Sequence, residues 1–139
     1  MLNVTIYHND ESRFMPYEPG QHLIIATSHW LPSSVGDPLA VADWAFRTFN
    51  TDLALLEGHR DTHLGEVTFL AACVFRLLGF RSLTVGDVVE VASGPQRHFL
   101  ACESVGWRTI ATPSNVSGQP LTAAKIRRRL AERPPHHPV

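Results

Sequence analysis

The segment best equipped for chemistry is His59-Arg60-Asp61-Thr62-His63. Two imidazoles four residues apart share one face if the segment is helical. Asp61 adds a carboxylate, so zinc or nickel ligation is the chemistry such a set would offer. The general-base glutamate of a His-Glu-x-x-His motif is missing, and spacing places no third ligand; His8, His22, His29 and His98 are scattered. No catalytic residue, metal or cofactor is therefore assigned. A small metal-dependent hydrolase using His59, Asp61 and His63, with Asp87 or His98, stands as the alternative. Nucleophilic chemistry has no better footing. The chain lacks a Gly-x-Ser-x-Gly elbow and a glycine-rich phosphate loop. Cys73 and Cys102 sit in apolar runs, where a free thiol behaves as a small buried hydrophobe.

Binding residues are easier to nominate. Trp30, beside His29 in a stretch read as the loop before the first helix, is the tryptophan expected to be exposed, and an exposed indole marks a binding surface. Arg127, Arg128 and Arg129 belong to the segment Lys125 to Arg133, which carries five basic residues and one acid, hence +4. With a net charge of −1 for all 139 residues, the remainder is −5. An acidic body with a basic tail argues against nucleic-acid binding by the whole domain and leaves the tail able to touch phosphate. Eleven arginines against one lysine, with many alanines and prolines, suggest a high-GC genome more than a chemistry.

The elements that must position these residues follow from periodicity. An apolar share of 44% in a chain of this length suits one domain with a core. The longest apolar run, Val67 to Leu78, is interrupted by Thr68 and Arg76 and is too short to span a bilayer. The N-terminal residues lack the basic and apolar stretches of a signal peptide, so a cytoplasmic location without membrane contact is expected. Leu2 to Tyr7 alternates with period two and predicts a strand, paired with a second apolar run over Gln21 to Thr27. Asp37-Pro38 reads as N-cap and first turn of a helix reaching Phe49, with Leu39, Ala42, Phe46 and Phe49 along one face. Thr51 to Gly65 is polar and ambiguous, with Leu53 to Leu56 as a candidate helical turn.

A second helix, favoured over a strand by its length, is predicted over Glu66 to Leu78. Its expected core face is Val67, Leu70, Val74 and Leu77, and Gly79 follows its end. From Ser82 the period changes to that of a three-strand antiparallel meander over Val88–Val91, His98–Glu103 and Trp107–Ile110. Residues 113–139 read as a linker, a short basic helix and a disordered end. The expected fold is thus a single α+β domain over residues 1–112. It has a small antiparallel sheet, an N-terminal hairpin plus the meander, packed on two helices, with the basic helix appended.

The joint between the second helix and the meander, Arg81-Ser82-Leu83-Thr84-Val85-Gly86-Asp87-Val88-Val89, is the most distinctive stretch. Ser82 and Thr84 can bond nearby backbone, Gly86 can take a positive φ, and Asp87 can accept main-chain N–H groups, which makes a structural motif of the four. Together with Phe49-Asn50, His98-Phe99 and Gly106-Trp107, this stretch resembles the YodL-like family of small domains from phages and conjugative elements; the likeness covers about residues 39–110. Two departures mark it: a longer spacer between Asn50 and Arg81, and His98-Phe99-Leu100 where the family tends to have Tyr. The family carries no established activity to transfer. The resemblance implies an accessory protein of a phage, plasmid or integrated element. The expected function is a non-enzymatic binding module with a protein partner, with nucleic acid reached through the basic segment, or a homodimer through the second helix.

Overall fold

A computed structural model describes residues 1–121, 128, 131 and 132 of the chain. Six strands form one mixed sheet: β1 (Leu2–Asn9), β2 (Leu23–Leu31), β3 (Val88–Ser93), β4 (Gln96–Cys102), β5 (Trp107–Ile110) and β6 (Val116–Ser117). Their order across the sheet is β5-β4-β3-β1-β2-β6. The predicted hairpin and meander lie in one sheet, as expected, and β1 and β3 join them. β1 pairs antiparallel with β2 on one side and with β3 on the other, with Val4 opposite Val91 and Ile6 opposite Val89. The sheet is also not purely antiparallel, because β6 runs parallel to β2, with Leu23 opposite Val116. The stretch read as a linker after residue 112 therefore supplies an edge strand, and Leu121 bridges to Thr27 beyond it.

Among the described residues there are three α-helices of more than one turn, where two were expected ahead of the C-terminal segment: α1 (Pro38–Asn50), α2 (Leu53–Glu57) and α3 (Gly65–Leu77). Of these, α1 and α3 cover one face of the sheet. α1 starts where the sequence predicted, since the Asp37 carboxylate accepts the Ala40 N–H at 2.9 Å and Pro38 fills the first turn. α2 has its own cap, with Asp52 accepting from Ala54 N–H at 3.1 Å, but none of its residues is buried. Between α2 and α3 the backbone passes through Leu64 at φ 63, a left-handed conformation that turns the chain into the next helix. The predicted basic C-terminal helix falls mostly outside the described residues, Arg127 and Arg129 among them. Arg128 is described, and is helical and exposed.

The main core lies between the sheet and α1 and α3. It joins Val4, Ile6, Leu31, Val89 and Val91 to Val41, Trp44, Phe49, Ala71 and Phe75. Phe75 packs on Phe49 at 4.2 Å between ring centroids and on Phe80 at 5.4 Å. A smaller cluster on the opposite face gathers Tyr7, Tyr17, Leu23, Val88, Phe99 and Ala101.

The face of α3 predicted to enter the core is the wrong one. Phe69, Ala71, Ala72 and Phe75 are buried, whereas Val67, Leu70 and Leu77 are exposed and Val74 half-buried. The helix is apolar on two sides, and the side bearing the phenylalanines goes inward because the larger rings remove more area from water. On α1 the predicted face is half right: Ala42 and Phe49 are buried, Leu39 and Phe46 are exposed, and Val41, Trp44 and Ala45 are buried beside them.

Candidate interaction surface

Trp30 lies on β2, not in a loop, and is 65% exposed. Its position follows from the pairing of β2 with β1, where Trp30 stands opposite Asn3 and His29 opposite Val4. β2 is paired on its outer side at Leu23, Ile24 and Thr27; among the described residues, Ser28 to Leu31 pair with β1 alone. Directly beside this stretch runs the outer face of α3. Ser28, His29 and Trp30 on one side, with Val67, Leu70 and Val74 on the other, line an open groove of about 310 Å³.

The groove is largely apolar, and hydrogen bonds and ring contacts fix its walls to the fold. Ser28 Oγ lies 2.7 Å from Thr5 Oγ1, tying the strand to the sheet. His29 stacks on Phe49 with 5.1 Å between centroids, and its Nε2 meets Thr27 Oγ1 at 2.7 Å. Burial pushes the His29 imidazole down to about 4, so it stands neutral at the floor of the groove at neutral pH. α3 carries two charged side chains, and both are drawn elsewhere. Glu66 takes a two-pronged bond from Arg60 at 2.7 and 2.8 Å. Arg76 donates to the carbonyls of Thr48, Ala72 and Thr51, which covers the end of α1. The exposed seam Val67, Leu70, Val74 and Leu77 is itself apolar, and the charge beside it, Glu66 one turn from Leu70, is held in an exposed ion pair with Arg60.

The sequence nominated Trp30 correctly as exposed. It missed the four α3 residues, which it placed in the core. The signal was present: an apolar stripe free of phenylalanine on a helix whose other stripe holds Phe69 and Phe75.

The histidine pair does not form the arrangement its spacing suggested. Residues 59–63 form turns, not a helix, so no shared face exists. His59 Nδ1 lies 2.7 Å from the Leu55 carbonyl, closing the end of α2, and Asp61 is exposed. His63 instead borders a cavity of about 270 Å³ with Trp44, Arg47 and Thr68. His98 borders another, of about 330 Å³, with Asp37, Leu39 and Trp107. His22 is held between Asp10 (3.0 Å) and Ser117 (2.6 Å). His8 lies edge-on to Phe75, its Nε2 buried with no partner among the described residues, and burial lowers it to about 4. Among the described residues, no three His, Cys, Asp or Glu side chains are grouped to hold a metal. Cys102 is buried, and burial first, then the Asp87 carboxylate, raises its thiol to about 11, which leaves it an inert thiol at neutral pH.

Asp87 is wholly buried and acts as the node of the joint. Its carboxylate accepts from Arg81 Nη1 (2.7 Å) and Nη2 (2.8 Å), from Asn9 N–H (2.8 Å) and from Thr84 N–H (2.9 Å). Gly86 has φ 99, and a Cβ there would lie 2.6 Å from the Met15 carbonyl oxygen, so no other residue fits without a shift. Ser82 is exposed, and its main-chain carbonyl joins this network by accepting from Arg81 Nη1 at 3.1 Å. Asn50, at the end of α1, donates to the Leu83 carbonyl and accepts the Leu83 N–H, both at 2.8 Å. The two stretches Phe49-Asn50 and Arg81–Val89, far apart in sequence, are thus locked together directly.

Among the described residues no helix is long and apolar enough to cross a membrane. In comparisons with protein-family models, curated proteins and solved structures, no match to this chain was found.

Proposed function

We propose that this chain is a non-enzymatic protein-binding module, which seats an apolar partner surface in the groove between β2 and α3. The observation that carries the reading is Trp30, exposed beside an apolar helix seam. Contiguous exposed apolar surface rimmed by polar groups is a mark of protein interaction sites, and tryptophan is the residue most enriched among their energetic centres. The resemblance to YodL-like domains supports an accessory role for a phage, plasmid or integrated element. In that role, a small domain contributes a docking surface to a larger assembly.

The test is affinity co-purification from the native host using the wild-type chain and the variants Trp30→Ala and Leu70→Glu. Both substituted side chains are exposed, so both variants should keep the wild-type circular dichroism spectrum. Each should lose the co-purified protein, or the chain's own second copy, by tenfold or more. A partner set identical across all three proteins would remove this surface from consideration.

A further inference from the structure

The apolar seam of α3 has an internal symmetry. Val67, Leu70, Val74 and Leu77 are spaced by three, four and three residues, the a/d pattern by which two helices interlock. The midpoint of the seam falls at residue 72. If a second α3 is laid antiparallel about that point, Val67 faces Leu77 and Leu70 faces Val74, and the same two contacts recur on the other side of the axis. Every contact then joins a valine to a leucine, so the volume across the seam is even from end to end. A twofold interface must be self-complementary in this sense.

We propose that the occupant of this surface is a second copy of the chain, packed α3 against α3 in antiparallel orientation across a twofold axis beside residue 72. This rests on the reading of the same groove as a protein-binding site and names its partner. Three further observations fit it. Both charged residues of α3 are tethered within their own copy, Glu66 by Arg60 and Arg76 by the end of α1, so no like charges meet across the axis. Trp30 lines the same groove as the seam and adds exposed aromatic surface to it. The exposed apolar area comes near the lower bound of a specific interface. Trp30 is 65% exposed, Leu70 52%, Leu77 51% and Val67 37%. Together they offer roughly 450 Å² per copy, so a pair that covered them fully would bury roughly 900 Å², against the ~1,200–2,000 Å² of a standard specific interface.

The native sequence contains its own probe. Cys73 borders the seam one residue from its midpoint, so in the antiparallel pair the two Cys73 residues are offset by only ~3 Å along the helix axis. Cys73 is half-buried, whereas Cys102, the other cysteine, is buried.

The experiment is light scattering of the full chain over about a hundredfold range of concentration, together with cross-linking by a short bismaleimide. The proposal expects a mass of twice 15.4 kDa at the upper concentrations and a covalent dimer. Cys73→Ser should abolish the covalent dimer and leave the scattering mass unchanged. Leu70→Glu should abolish both while retaining the wild-type circular dichroism spectrum, and Leu77→Glu serves in its place should Leu70→Glu fail to fold. A monomer at every concentration overturns the proposal, and so does a dimer that survives the folded glutamate variants. The two readings separate at that point: a monomer whose heterologous partner is lost in Leu70→Glu keeps the binding module and removes self-pairing. A monomer with no Leu70-dependent partner removes both.

Discussion

At the scale of single residues, Asp87 is the buried node of the helix-to-strand joint and is easily mistaken for a catalytic acid. A buried carboxylate with an arginine beside it is common in active sites, yet every bond Asp87 makes ends on its own scaffold. Asp87→Asn keeps the shape but removes the charge that Arg81 pairs with, and it turns an amide N–H₂ toward donors. Removing one member of a buried pair typically costs about 3–5 kcal/mol, and partial exposure of Arg81 places the expected loss nearer the lower end. Urea denaturation should show the unfolding free energy falling by that amount, with a lower midpoint. An unchanged midpoint would mean that the carboxylate is held in place for some other purpose. The turn role of Gly86 and Asp87 was readable from residue types alone, because glycine and a short acid entering a β-branched run have few other uses. The partners Asn9 and Asn50 were not readable, since nothing local links residues so far apart in the chain.

At the scale of elements, local chemistry announced itself and long-range packing did not. The start of α1 could be placed to the residue, because Asp37-Pro38 carries its own physical signal. α3 was placed within a residue at each end, but its orientation about its own axis was inverted. Periodicity reports that a helix has an apolar stripe; it does not report which of two stripes meets the sheet. That distinction has a measurable counterpart. Phe75→Ala empties the space between Phe49, Phe80 and His8 and should lower stability by roughly 3–5 kcal/mol, whereas Leu77→Ala, on the exposed face, should lower it by about 1 kcal/mol or less. Thermal or chemical melts of the two variants at low protein concentration check this, and equal losses would contradict the assigned orientation. β6 escaped sequence analysis for a different reason. Two residues between prolines and a glycine carry no strand pattern, and they pair only because β2 offers them an edge.

At the scale of the whole molecule, the α+β class was legible and the ladder that joins the two halves was not, since β1 and β3 pair residues about 85 positions apart. The same core sets a pH limit. His8 and His29 both stand near 4 in the folded chain against an ordinary 6.5, in each case chiefly through burial. Between those values the unfolded chain binds more protons than the folded one, so stability rises with pH across this window. It is fully present above about 6.5 and falls as the pH drops toward 4, by up to ~3 kcal/mol per histidine and less for any that is partly solvated. Denaturation midpoints at pH 7.5, 6 and 5 should decline in that order, and His29→Gln should flatten the slope. A midpoint constant from pH 7.5 to 5 would exclude this account.

The central position of β1 has a consequence for how the protein is made. β1 is synthesised first, and β2 follows within two dozen residues, so a hairpin can close early. The other edge of β1 has no partner until β3 leaves the ribosome, about 80 residues later. At ~5–20 residues per second, that interval lasts on the order of 4–16 s. For those seconds Val4 and Ile6, destined for the core, sit on an open apolar edge of the nascent chain, a natural station for a ribosome-associated chaperone.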